Sequence, residues 1–198
     1  GLADIGMVSR SLTDKEAKQY QQFALAKDWI VLISHADYPK SDISKAEVIE
    51  AYTQKTSGLH VIAKEAGRAT KVVFDNYFNI ASKLRSDLVI IGANGQAIAS
   101  VENDKKALAY VSYSAAHKAI EQGSPIKILT LDGVAGTPEN VQKNEYQLSR
   151  TLNLVYLKKQ QKTIDTIQRI LADADAQDVF ASNYVISDST AERGIAAN

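Results

Sequence analysis

Short apolar runs recur along this chain, and signals for helix starts stand between them. WIVLIS (29–34) is continuous apolar sequence, as a strand covered on both faces requires. LHVIA (59–63), DLVII (87–91) and LNLVYL (152–157) are of the same kind. Thr13 with Glu16, and Ser44 with Glu47, form capping-box patterns that open helices. Thr137 followed by Pro138 reads as a cap with proline at the first helical position.

This punctuation predicts strands over 3–9, 29–34, 59–63, 87–91, 107–114, 126–133 and 152–157. Helices are predicted from Thr13 to about Ala26, from Ser44 to about Thr53, over 69–84, 115–122 and 137–143, and through most of 163–182. GANG (92–95) reads as a turn leading into a short helix, AIASV. The segment 188–198 has few apolar residues and reads as a loosely held tail. Such alternation defines an α/β layered fold. Ligands of such folds gather where strands end and helices begin. The strand-to-helix turns 9–13, 64–70 and 92–95 are therefore the candidate sites.

The stretch KEAGRAT (64–70) is the most pointed of them. It sets a basic, glycine-containing turn at the mouth of a helix, where the first N–H groups lack acceptors inside the helix and the dipole favours an anion. Composition narrows the partners. The 198 residues carry 23 basic and 23 acidic side chains, and zero net charge argues against broad nucleic-acid binding. Cysteine is absent, which excludes thiol catalysis, disulfides and cysteine-based zinc sites. His35, His60 and His117 are scattered without ligand spacing, so neither metal nor cofactor is expected. No apolar run is long enough to span a bilayer. There is no nucleophile elbow, phosphate-binding P-loop or acid cluster, so no enzyme is expected. The chain starts at Gly1, which suggests a removed leader or a fragment boundary.

In this order the motifs resemble the PstS-like periplasmic phosphate-binding proteins of ABC transporters. ADIGMVSRSL, KEAGRAT, ANGQAIASVENDKKALAYVSYS and LDGVAGTPENVQKNEYQLSRTLNLVYL carry the resemblance, the last most specifically. It implies a two-lobed type II periplasmic binding protein-like fold. One lobe would be 1–28 plus 113–198, the other 29–112. The strand and Gly-Ser-Thr turn that open the family's pattern are not in this sequence. The first lobe is therefore expected to be incomplete, with a sheet edge or cleft wall open to a partner chain.

The function implied is extracytoplasmic, periplasmic binding of phosphate or a similar oxyanion for an ABC permease, with the lobes closing by a hinge. The alternative is a sensor or interaction domain of the same descent. Ligand-binding residues carried over are Asp4, Ser9, Arg10, Lys64, Gly67, Arg68, Ala69, Thr70 and Asn94. Asp4 would accept the proton that hydrogen phosphate carries and sulfate lacks. Arg10 reads either as a ligand or as an ion-paired turn residue, and Asn94 as a donor or a shaper of its turn. Besides the missing opening element, the sequence departs from the family at Ala109, which stands for a Gly, and in the 64–70 turn. Lys64 stands for an Arg and loses its fork, Arg68 for a Ser, and Ala69 for a Gly. Arg68 is open to three roles: clasping a larger anion, filling the phosphate space, or swinging to solvent. Trp29, Tyr38, Tyr110 and Tyr113 are expected in core or hinge packing. Tyr146, Ser149 and Arg150 are expected in a fixed surface turn.

Overall fold

The structure is a computed structural model that describes residues 3–9, 11–181 and 184–186. Arg10 and the tail 188–198 lie outside the described residues. From the N-terminus come β1 (Ile5–Val8), α1 (Asp14–Ala17), β2 (Gln21–His35), β3 (Asp42–Ile43), α2 (Lys45–Thr53) and β4 (His60–Lys64). Then follow α3 (Ala69–Phe78), β5 (Val89–Ile91), α4 (Asn94–Glu102), β6 (Ala107–Ser112) and α5 (Tyr113–Glu121). The last part holds β7 (Ile126–Ile128), β8 (Thr130–Leu131), α6 (Pro138–Gln142), β9 (Ser149–Tyr156), a 3-10 turn, α7 (Gln161–Leu171), α8 (Ala174–Ala181) and β10 (Val185–Ile186).

The chain divides into two compact units, 1–28 with 150–198 and 29–149. The first boundary falls after Asp28. The second falls after Ser149, not near 113, because residues 113–149 are tied to the start of the second unit. Tyr113 stacks on Trp29 at 4.7 Å, β7 pairs with β2 through Ile33 and Ile128, and the Tyr146 hydroxyl donates to Ile30 O at 2.9 Å. Tyr146 is thus a core residue and no surface turn, at 2% exposure.

In the first unit β1 pairs antiparallel with β9, and β9 lies beside β2. Among the described residues β1 has no second strand neighbour. Phe23, Leu25, Leu154, Tyr156, Ile164 and Leu171 form its core, with Ile5 and Ile167 packed against it. The helix expected through Ala26 ends at Ala17, and the chain is extended from Gln21. Phe23 and Leu25 explain this: their two-residue spacing puts both on one face of a strand, and both are buried. Arg150 donates from Nε and Nη2 to Asp28 Oδ2 at 3.0 and 2.6 Å.

The second unit has the larger core. Trp29, Tyr52, Phe74, Tyr110 and Tyr146 are almost wholly buried, each worth about 1.5–3 kcal/mol of apolar burial. Their polar tips are satisfied: Trp29 Nε1 donates to Gly136 O at 2.9 Å and Tyr52 Oη to Ile62 O at 3.0 Å. Phe74 stacks on Tyr110 at 3.9 Å. α3 stops at Phe78, short of the expected Leu84, because Asn79 adopts the left-handed conformation (φ 54°) that ends helices.

Candidate anion-binding site

β4 runs parallel to both of its neighbours, β5 and β6. The carboxyl ends of these three strands therefore share one edge of the second unit, and each leads into a helix: α4 after β5, α3 after β4, α5 after β6. Backbone and side-chain hydrogen bonds knit the three turns. Glu65 N donates to Ile91 O at 2.9 Å, Lys64 Nζ to Ala93 O at 2.9 Å, and Asn94 Nδ2 to Ser112 Oγ at 2.9 Å. Lys64 N donates to the Tyr110 hydroxyl at 3.0 Å, which fixes the end of β4 on the aromatic core.

The helices of this unit start in two different ways. α2 caps itself: Ser44 Oγ accepts from Glu47 N, and the Glu47 carboxylate accepts from Ser44 N. α6 does likewise through Thr137, which accepts from Asn140 N. At α3, α4 and α5 the N-cap residues are Arg68, Ala93 and Ser112, and none makes a side-chain cap bond. At α4 the Gln96 side-chain oxygen takes up the Gly92 and Ala93 N–H groups. At α5 the Ser112 hydroxyl is engaged by Asn94. α3 has no such substitute. Its first turn contains no acid, and Arg68 and Lys71 place positive charge where the helix dipole is already positive. Glu65 pairs with Arg68 and Asp75 with Lys71, but no side chain caps the N–H groups of this turn.

Further groups surround the start of α3. Lys64 is 1% exposed as a residue. Burial, and then the Arg68 guanidinium, push its ammonium down to about 8. Gly67 holds φ at +85°, which a side chain would resist. The Thr70 hydroxyl makes no side-chain bond among the described residues, and the N–H groups of Ala69, Thr70 and Lys71 precede the first intrahelical acceptor. Arg68 donates from Nε and Nη2 to Glu65 Oε1 at 2.9 and 2.6 Å. This pair lies against Gly92, where a Cβ would stand 2.9 Å from Glu65 Oε1 and 3.0 Å from Arg68 Nη2.

Of the residues named from the sequence, Lys64, Gly67, Arg68, Ala69, Thr70 and Asn94 come together here. Asn94 opens α4 where a turn was expected, and its amide is committed to Ser112. Asp4 and Ser9 flank β1 in the first unit, both exposed, and Asp4 Oδ1 accepts from Gln160 Nε2 at 2.6 Å. Sequence reasoning missed Glu65, Gly92, Gln96 and Ser112. The signal for Ser112 was a serine at the junction of an apolar strand and a helix, the position of an N-cap. Among the described residues no group of His, Asp and Glu side chains could hold a metal, and no helix is long and apolar enough to cross a membrane.

This α/β unit, with helix starts gathered at strand ends, is of the kind found in solute-binding proteins. The chain belongs to the PBP superfamily, whose domain model matches residues 1–189. Its sequence is similar to phosphate-binding protein PstS 2 of Streptococcus agalactiae, 27% identical over 139 residues. That match takes in 65% of this chain and 45% of the relative, so the chain spans under half of the relative's length. Two solved structures share the fold. An ABC-type phosphate transport receptor from Vibrio cholerae aligns with a TM-score of 0.76 at 21% identity, over 93% of this chain and 80% of its own. A phosphate ABC transporter substrate-binding protein of Clostridium perfringens, solved with bound phosphate, aligns with a TM-score of 0.72 at 25% identity, over 94% and 80%. The fold is that of the type II periplasmic binding proteins.

Proposed function

We propose that this chain is an extracytoplasmic solute-binding protein that takes phosphate or a similar oxyanion and serves an ABC permease. The observation that carries this reading is the start of α3, which lacks a side-chain cap and an acid in its first turn and has the buried Lys64 in the turn before it; Arg68 and Lys71 are paired with Glu65 and Asp75. Its parts divide the work by chemistry. The N–H groups of Ala69 and Thr70 and the Thr70 hydroxyl donate to the anion's oxygens. Lys64 supplies charge from a buried position, where water screens it least. Arg68 offers a planar donor in place of a small hydroxyl. From the first unit the family resemblance offers Asp4, Ser9 and Arg10. The names of the relatives speak for phosphate, and binding rather than turnover is the activity.

Calorimetric titration of the purified chain at neutral pH tests this, first with phosphate and then with sulfate. Saturable heat with phosphate is expected. Heat with neither anion would sink the reading. It would favour a sensor or interaction domain of the same descent, for which the Glu65–Arg68 ion pair already speaks by occupying part of the Arg68 fork.

A further inference from the structure

We propose that Asn94 is a site of spontaneous deamidation, and that its conversion to aspartate weakens anion binding at this sheet edge. The second half rests on the oxyanion reading above. Asn94 is followed by Gly95, and no other asparagine of the chain precedes a glycine. With no side chain on the following residue, its backbone nitrogen can swing onto the asparagine's side-chain carbon. The fold leaves that nitrogen free. Asn94 and Gly95 open α4, ahead of the Ala97 N to Ala93 O bond at 3.4 Å, and the Gly95 N–H makes no hydrogen bond among the described residues. The Gln96 side chain takes up the N–H groups of Gly92 and Ala93, not that of Gly95. Gly95 is exposed, and a Cβ there would meet no neighbouring group within 4 Å. The Asn94 side chain is held through Nδ2 alone, on Ser112 Oγ.

The step needs only water. The Gly95 nitrogen gives up its proton and bonds to Asn94 Cγ. The Cγ–Nδ2 bond breaks, and the side-chain nitrogen leaves as ammonia. Water then opens the five-membered imide at either carbonyl, giving aspartate or its β-linked isomer. Water enters, ammonia departs, and nothing is oxidised. The setting favours the attack. The positive end of the α4 dipole stabilises the deprotonated Gly95 nitrogen. Lys64 Nζ, seated on Ala93 O, adds positive charge next to Asn94 in the chain. Ring closure takes Asn94 out of its helical conformation, and helix ends fray before middles. The product matters through its surroundings. An aspartate suits a helix start, so α4 survives. The new charge, however, sits in the edge shared with the start of α3, and the amide that donated to Ser112 is gone. An asparagine that only shaped its turn would become aspartate at no cost to the ligand.

The experiment ages the whole chain at physiological temperature and pH, as wild type and as Gly95→Ala, and maps the exchange of amide for acid by peptide mass spectrometry. Phosphate titrations and thermal melts follow on fresh wild type, aged wild type and Asn94→Asp. The exchange should fall on Asn94 well ahead of Asn103 and Asn144. Gly95→Ala, which the open space admits, should slow it by about tenfold. Aged wild type and Asn94→Asp should both bind phosphate about tenfold more weakly than fresh wild type, as like charges meet near a surface. The Asn94→Asp melt should be unchanged or higher. Acid spread evenly over the asparagines, or Gly95→Ala that ages as fast as wild type, overturns the site. Full phosphate affinity in Asn94→Asp overturns its consequence and leaves the oxyanion reading intact. Fresh wild type that binds no phosphate overturns that reading together with the consequence, and the peptide map still decides the site.

Discussion

The helix starts of the second unit form two groups, and the contrast tells what each is for. α2 and α6 carry Ser44 and Thr137 caps with an acid in the first turn, so their orphan N–H groups and dipoles are answered from within the chain. α3, α4 and α5 stand together at one sheet edge, and their N-cap side chains do no capping. Helices that only support the fold look like the first group. On the oxyanion reading proposed above, α3 is the helix kept open for a ligand. The lesson is that a missing cap, at a place where neighbours of the same unit have one, is a better pointer to a site than the presence of a glycine.

The sharpest way to break this contrast is at Lys64. Lys64→Met should lower phosphate affinity by about 100-fold, the worth of a charge-assisted hydrogen bond. It should leave thermal stability unchanged or higher, since a buried charge is removed. A methionine variant that binds as well as wild type would place the anion elsewhere. Titration against pH gives a second, smaller effect. The Lys64 ammonium, at about 8, loses its proton as pH rises through that value, so phosphate affinity should drop about tenfold between pH 7 and 9. The stability term has the opposite sense. The folded pKa lies below the ordinary 10.5, the folded state binds fewer protons between about 8 and 10.5, and unfolding free energy should rise across that window. Glu47 gives the same slope on the acid side. Lys40, and then the Ser44 amide and hydroxyl, hold its carboxyl at about 2. Its contribution to α2 is present above the ordinary 4.5 and lost as pH falls through about 2. The smallest effect belongs to Gly92→Ala. The atoms in its way are the far ends of flexible side chains, so stability should fall by less than about 1 kcal/mol. Phosphate affinity should nevertheless change as Arg68 is displaced with Glu65.

Much of this was legible before any coordinates. The caps at Thr13, Ser44 and Thr137 open helices where the residues said they would, because a cap is a local contract between neighbours. Lys64 to Thr70 were legible for the same reason: the turn, its charge and its helix are contiguous. Helix ends were harder. The alternation of Phe23 with Leu25 outweighs the helix that Thr13 begins, and a left-handed Asn79 cuts α3 short. GANG reads as a turn, yet Asn94 and Gly95 begin α4, where burial of Ile98 and Val101 outweighs the cost of a helical glycine. The partners of the site were the least legible. Gly92 beneath the Glu65–Arg68 pair and Ser112 beside Asn94 depend on β5 and β6 flanking β4, a strand order that chain order does not dictate.

One pairing described above also has a consequence in time. Ile5 on β1 stands opposite Tyr156 on β9, whereas residues 29–149 are one compact unit continuous in sequence. The β1–β9 pairing closes a long loop, whereas the pairings of β4 with β5 and β6 close shorter ones. Folding is expected to start in the second unit and to end with the slower pairing of β1.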